Sequence, residues 1–469
     1  MSGLTMTVPS ARRRTVGVLL AQLVVLALAL LLVHLLLAAG NTSEQPTQAV
    51  SGARPTAPGG LAGQILLAAL AVIVVTRLSG WCARRVGQPR VVGEIVGGVL
   101  LGPTVLGALA PAAAGWLLPQ AVMPVLDGLA DLGLVLFMFL IGLELDTRLV
   151  RRQGHQAATL ANVGLVVPFT LGVAVALLLY PTFGAGIAFT PFALFLGVAM
   201  AVSALPVLAA LLAERGLAGT RLGTLALSCA AAEDVAAWCL LAVVVALAQA
   251  TNPAAALGTM AMAAGYAGLM LWVVRPLLRR AVARWLPDGR VTHAALAAVV
   301  VGLLLSAAAT SLIGIHAIFG AFLFGVMLPA PTAARQALVR RIGDLTGVLL
   351  LPMFFAVSGM HTDLRLLGNQ ATAWAAFGLV MLAAVGGKLG AVTLAGRATG
   401  LAWREATCLG VLLNTRGLTE LVILGIGLRL GAIPEPIYAL LVLMAVATTM
   451  AANPLLTRIL PRSHEGAQP

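Results

Sequence analysis

Glu233 and Asp234 stand side by side in the run Ala230-Ala-Ala-Glu233-Asp234-Val-Ala-Ala-Trp238, near the middle of the apolar stretch 222–249. Two carboxylates at that depth can hold a cation, carry a proton or form a buried ion pair. Neighbouring residues on a helix point about 100° apart, so the two acids must serve different partners. One can face a water-filled cavity and the other a neighbouring helix. A complementary charge comes from Lys388, the one lysine among 29 basic side chains, which lies inside the apolar run Ala371 to Gly396. Lysine can give up its proton when buried, whereas arginine cannot. Plainer accounts are also open: Lys388 snorkels to an interface, or one acid is salt-bridged and the other buried protonated.

Two further constellations interrupt apolar runs. Ser203-Ala-Leu-Pro206 falls at the centre of 191–213, where Pro206 is expected to remove a backbone hydrogen bond. Asn414-Thr415-Arg416-Gly417-Leu-Thr419-Glu420 falls within 405–429. Backbone groups freed at membrane depth are tolerated only where they line a cavity or find protein partners. Arg416 and Glu420, spaced i,i+4, pair with each other, or they offset half-helix dipoles where two broken helices cross, or they contact a substrate. The structural role is favoured, and Asn414, Thr415, Ser203 and Pro206 are grouped with it.

The elements that must position these residues are membrane helices. Of 469 residues, 60% are hydrophobic and 10% charged, and the mean hydropathy is +1.03. That composition excludes a soluble domain. The net charge of +13 does not indicate nucleic acid, because the arginines cluster in short loops between spans, as the positive-inside rule requires. Cys82, Cys229, Cys239 and Cys408 lack paired spacing and read as small packing residues rather than disulfides or metal ligands. Nucleophile elbows, P-loops, zinc spacings and haem motifs are not found, so no enzyme, catalytic residue or cofactor is assigned.

Apolar runs bounded by charge, Pro or Gly predict about fourteen spans. These are roughly 16–39, 61–80, 91–109, 123–143, 158–180, 191–213, 222–249, 255–274, 292–313, 315–329, 344–360, 372–396, 405–429 and 436–457. The loop arginines orient the chain with both termini cytoplasmic, leaving only Arg54, Arg365 and Arg429 outside. The first span, after Arg12-Arg13-Arg14, is too long for a signal peptide and reads as an uncleaved helix. An external linker with an Asn41-Thr42-Ser43 sequon follows it, and no cytosolic domain is expected after Pro461.

Two halves of the chain echo each other. Gly142-Leu-Glu-Leu-Asp146-Thr-Arg148-Leu149 matches Gly359-Met-His-Thr-Asp363-Leu-Arg365-Leu366 in register. Ile95-Val-Gly97-Gly-Val-Leu-Leu-Gly102 matches Ile318-Phe-Gly320-Ala-Phe-Leu-Phe-Gly325, and Leu196-Gly197-Val198 echoes Leu409-Gly410-Val411. An odd number of spans separates the partners, so the second half is upside down, as in secondary transporters. The predicted fold is an all-α polytopic membrane protein with about 13 core helices in two inverted six-helix repeats, plus one extra N-terminal helix. Two of the core helices are broken and cross. Residues 1–60 form the extra helix and linker, 61–254 the first repeat, 255–291 a connector helix and cytoplasmic loop, 292–457 the second repeat, and 458–469 the tail. Of the remaining polar residues, Glu94 is expected to cap or pair locally, and Asp127 with Asp131 to form a solvated face or attract cations. His316 is read as a satisfied packing histidine, and His34 lies outside the repeats.

Gln88-Pro89-Arg90-Val-Val-Gly93-Glu94-Ile-Val-Gly97-Gly98-Val-Leu-Leu-Gly102-Pro103, Phe139-Leu-Ile-Gly142-Leu-Glu144 and Glu233-Asp234-Val resemble the monovalent cation:proton antiporter-2 family. So do Phe354-Phe355-Ala-Val-Ser358-Gly359, Gly387-Lys388 and Asn414-Thr415-Arg416-Gly417-Leu-Thr-Glu420-Leu. The resemblance runs from about residue 61 to 458 and is nearest to plant cation/H+ exchangers and their bacterial relatives. It implies a homodimer in the lipid of a bacterial inner membrane, exchanging Na+ or K+ for H+. A six-helix core, spans 5–7 and 12–14, would move against a dimerisation panel. The resemblance also implies that Asp234 binds the cation and the proton, while Glu233 departs from the usual Asp, Asn or Gln. Glu233 would pair with Lys388, which could release a second proton when the cation binds. The alternatives are an organic-anion transporter of the same architecture and a cation channel or sensor.

Overall fold

A computed structural model describes residues 60–145, 155–250, 253–285, 291–368 and 371–459. The predicted span 16–39, most of the linker and most of the tail lie outside the described residues, as do Asp146, Arg148 and Leu149 of the first motif. Among the described residues every regular element is helical. The longer helices, in chain order, are α1 Gly60–Arg85, α2 Arg90–Leu101, α3 Met123–Glu144, α4 His155–Phe183, α5 Phe189–Ala201, α6 Leu205–Glu214, α7 Arg221–Gln249 and α8 Pro253–Leu269. Then follow α9 His293–Ile313, α10 Ala317–Met327, α11 Thr332–Leu345, α12 Ala371–Ala384, α13 Trp403–Leu413, α14 Leu418–Arg429 and α15 Glu435–Ile459. Long Ala-, Leu- and Val-rich runs favour helix in the absence of water. Local caps set several ends: Thr220 and Thr292 accept from the backbone N–H of Gly223 and Ala295, and Gly314 takes the left-handed conformation (φ 94°) after α9.

Three helices continue through π turns, α8 through Met270–Val274 into Arg275–Trp285, α11 through Thr346–Leu350 into Leu351–Met360, and α12 through Val385–Gly390 into Ala391–Ala398. The predicted span 344–360 is therefore the second part of a helix that begins at Thr332. The segment carrying Arg335, Arg340 and Arg341 is helical rather than a loop, because it holds good helix formers and no proline. Arg77, which the loop-charge reading passed over, lies within α1 and donates to the carbonyl of Val348 in the α11 π turn at 2.8 Å. The contact is exposed, with Val348 55% accessible, and a carbonyl turned toward lipid has no water to donate to it.

Helices α1, α2, α3, α9, α10 and α11 pack on one another, and α4 to α7 with α12 to α15 form a second group. The glycines of the repeated motifs make the tightest crossings in the first group. A Cβ on Gly142 would strike the backbone of Phe322 in α10, and one on Gly325 would lie 2.8 Å from the Leu143 nitrogen. A Cβ on Gly359 would lie 2.8 Å from the Cα of Gly98, and one on Gly102 would lie 2.9 Å from the Cα of Met360. The two crossings use motif-equivalent residues in exchanged places, α3 on α10 and the end of α11 on α2. In lipid, helix association relies on such close packing because no hydrophobic effect drives it.

A side chain at Gly98 would meet the Ala356 carbonyl oxygen, which is backbone and cannot yield. Gly98→Val is expected to lower the melting temperature of the detergent-purified protein, with overpacking costing about 1–3 kcal/mol or more. Gly115→Ala, where a Cβ meets nothing within 4 Å, should leave it unchanged; equal melting for both variants would refute the crossing's importance.

Candidate functional site

The site forms where two broken helices meet. The first helix stops at Ala201, runs extended through Val202 to Ala204 and restarts at Leu205. Pro206 does not itself cut a hydrogen bond in mid-helix, as the sequence suggested. It lies in the first turn of α6, where an N–H has no intrahelical partner to lose. The second helix stops at Leu413 and restarts at Leu418 with a 41° bend. The breaks are joined directly: Ala204 N–H donates to the Thr415 carbonyl at 2.9 Å, and the Ser203 hydroxyl lies 2.7 Å from the Leu413 carbonyl. Thr415 Oγ1 donates to the Leu412 carbonyl at 2.7 Å, closing the end of α13.

A helix ending inside the bundle leaves carbonyls without partners. The last three of α5 are served by two cations. Arg416 donates from Nη1 to Ala199 at 2.7 Å and from Nη2 to Met200 at 2.8 Å, and Lys388 Nζ donates to Ala201. Arg416 also pairs with Glu420 at 3.2 Å, and Glu420 sits in the first turn of α14, where the helix dipole favours an anion. Arg416 thus touches both the end of α5 and Glu420. Thr449 of α15 brackets the Arg416 backbone, accepting from its N–H at 3.0 Å and donating to its carbonyl at 2.6 Å. The Thr448-Thr449 doublet in an apolar helix was a signal for this role that the sequence reading passed over.

Glu233 and Asp234, on α7, meet different environments. Glu233 Oε2 takes Lys388 Nζ at 2.9 Å and lies 2.5 Å from the Ser203 hydroxyl. Lys388 is 0% exposed, which rules out snorkelling, and Glu233 is 1% exposed. Lys388 lies in the π turn of the sequence Val-Gly-Gly-Lys-Leu-Gly, where glycines lower the preference for regular α-helix. Asp234 is 5% exposed, and its buried Oδ1 has no hydrogen-bond partner; the same holds for Asn414 Oδ1 and Glu233 Oε1. Buried oxygens are ordinarily paired, so an unpaired carboxyl oxygen can receive a proton or a dehydrated cation. Asn414 is the C-cap of α13. Among the described residues no group of three or more His, Cys, Asp or Glu side chains could hold a metal ion.

A cavity of about 260 Å³ reaches the starts of both restarted helices, touching Pro206 of α6 and Leu418 of α14. Arg84, Arg90 and Glu214 line its other end, and Phe137 and Phe355 of the first helix group form a wall. Glu94 pairs with Arg90 at 2.6 Å, as expected. At the opposite end of the molecule Asp131 is not merely solvated, because it accepts from Arg429 of α14 at 2.6 Å. His316 is not a fully satisfied packing residue either. Its Nε2 lies 3.3 Å from Arg429, and its Nδ1 has no partner. The cysteines are all free, with Cys229 and Cys408 buried and Cys82 and Cys239 exposed.

Removing the buried Arg416 with Arg416→Ala is expected to lower stability by about 3–5 kcal/mol, with little dependence on salt because the site is shielded. Asp131→Asn, at a pair roughly two-fifths exposed on each side, should cost no more than about 1 kcal/mol. Detergent thermal melts at low and high salt test both, and equal losses would contradict the burial argument.

The family profile described as "Sodium/hydrogen exchanger, transmembrane" matches residues 69–460. The Na(+)/H(+) antiporter NhaS4 of Synechocystis is 39% identical over 400 residues, covering 85% of this chain and 97% of that protein. Cation/H(+) antiporter 17 of Arabidopsis thaliana is 38% identical over 397 residues, covering 84% of this chain and 48% of its own length. K(+)/H(+) antiporter 1 of Saccharomyces cerevisiae is 33% identical over 386 residues, covering 80% of this chain and 44% of its own. The chain thus spans about half the length of the plant and yeast relatives. In fold, it is similar to the sodium proton antiporter MjNhaP1 from Methanocaldococcus jannaschii, with a TM-score of 0.56 at 15% identity, covering 85% of this chain and 95% of that one. With a match extending from the first described helix to the last, the chain belongs to the sodium/hydrogen exchanger family.

Proposed function

We propose that this chain is a secondary antiporter exchanging Na+ or K+ for H+ by alternating access, with Asp234 binding cation and proton in turn. The observation that carries the assignment is the division of labour on α7: Glu233 is engaged by Lys388 and Ser203, while Asp234 keeps an unpartnered buried oxygen beside the helix crossing. Charge counting supports it. Around the crossing, the buried acids are Glu233, Asp234 and Glu420 and the buried bases are Lys388 and Arg416, so full ionisation leaves one negative charge. Uncompensated charge in a low-dielectric interior is costly. One monovalent cation or one proton neutralises the cluster, and each excludes the other, which is enough to couple their fluxes. An organic anion would add to the excess charge.

On this reading the second helix group, α4 to α7 with α12 to α15, is the moving core and the first group the stationary panel. The cavity beneath Pro206 and Leu418 is the aqueous route from the cytoplasm, an orientation supported by the loop arginines. The halves 61–254 and 292–457 are inverted repeats, consistent with their exchanged glycine crossings, and the protein works as a homodimer in a bacterial inner membrane. Lys388 is the second titrating group, released from Glu233 when cation binds Asp234 in the open, water-filled state, where the charge its proton leaves behind is solvated.

Asp234→Asn is expected to abolish cation-driven pH change in proteoliposomes; wild-type exchange in that variant would overturn the assignment. Lys388→Arg and Lys388→Gln should both change the number of protons moved per cation, read as current under a voltage clamp. If both variants match wild type in rate and current, lysine titration is not part of the cycle.

A further inference from the structure

Gly164 of α4 faces the carboxylate of Glu233. A Cβ built on it would collide with Glu233 Oε1 and lie 3.3 Å from Glu233 Cδ and 3.2 Å from Val392 Cγ2. Ordinarily such a collision with a side-chain tip is relieved by a small rotation. Here the tip has nowhere to go without loss, because Oε2 of the same carboxylate is held by Lys388 Nζ and the Ser203 hydroxyl. Oε1 is itself buried with no hydrogen-bond partner, so its position is set by the wall it rests against rather than by a polar contact. That wall is the bare backbone of Gly164.

We infer that Gly164 is a positioning residue whose missing side chain provides the space that seats the Glu233 carboxylate on Lys388 and Ser203. Residues 164 and 233 form a matched pair in which the longer acid requires the smaller neighbour. A methyl group at 164 pushes the carboxylate along α7, lengthens its contact with Lys388 and leaves a buried ammonium poorly paired. An aspartate at 233 ends one carbon–carbon bond short of the glutamate, about 1.5 Å, and withdraws from the volume the methyl would fill. Lys388, with four rotatable methylenes, can follow it. The inference rests on the proposed coupling role of the Glu233–Lys388 pair.

The test compares wild type, Gly164→Ala, Glu233→Asp, the double variant and Glu233→Gln, each in proteoliposomes, for cation KM, maximal exchange rate and pH profile. Gly164→Ala is expected to slow exchange by about tenfold or more, within the range overpacking produces, and to displace the pH profile. The double variant should recover to the level of Glu233→Asp alone, since the shorter acid removes the collision. A purely structural glycine, packed only against Val392, would gain nothing from a change at 233. A double variant no better than Gly164→Ala therefore overturns the inference, as does a Gly164→Ala protein with wild-type rate and pH profile. If Gly164→Ala is poorly folded, rescue of its melting temperature by Glu233→Asp supports the pairing, and absence of rescue overturns it. Wild-type behaviour of Glu233→Gln would instead refute the coupling role of Glu233. An impaired Glu233→Gln beside an unimpaired Gly164→Ala would refute the role of Gly164 alone.

Discussion

A carbonyl oxygen inside a membrane protein must have a donor, and α5 ends inside the bundle with three that its own helix cannot serve. Arg416 and Lys388 serve them. Each cation brought to that helix end then needs its own counter-charge, and the chain supplies Glu420 for Arg416 and Glu233 for Lys388. The electrostatics of the centre thus follow from a backbone requirement. Asp234 is the surplus, an acid for which the crossing has no fixed partner, and a surplus of one charge is what an exchanger of one cation for protons can use.

Glycine crossings in which backbones nearly touch hold both helix groups, as at Gly98 on Ala356 in the first and at Gly172 on Gly197 between α4 and α5 in the second. In the second group the contacts at the centre are also charged and hydrogen-bonded, and they converge on breaks where the chain leaves the helix for three or four residues. Ion pairs and broken helices, unlike backbone packed on backbone, can supply alternative arrangements.

Much of this was readable beforehand. The apolar runs located the helices, and residues such as Glu233, Asp234, Lys388 and Arg416 stood out because charge in an apolar run has to be explained by function or by a partner. The Arg416–Glu420 pair was expected from i,i+4 spacing, and it forms although Arg416 lies in the break between Leu413 and Leu418 rather than on a helix. Other features were not readable, for definite reasons. The π turn at Lys388 depends on how α12 packs, since glycine-rich segments permit it without requiring it. Pro206 was read as a helix interrupter because sequence alone cannot tell a proline in mid-helix from one opening a new helix. The contacts of Asp131 and His316 with Arg429 leave no trace in the sequence because Arg429 is distant from both along the chain. Gly164, one of 51 glycines, carries no local signal at all.

The sequence by itself determined the membrane setting, the positions of the helices and the set of buried ionisable groups, because each is a local consequence of hydropathy and charge. Tertiary structure alone decided which carboxylate is engaged and which is left unpartnered. Glu233 and Asp234 are adjacent and chemically alike, and only the arrival of Lys388 from α12, Ser203 from the first break and the bare backbone of Gly164 from α4 separates them. Those partners lie 155, 30 and 69 positions from Glu233, and no periodicity along one helix encodes what three others bring to its side.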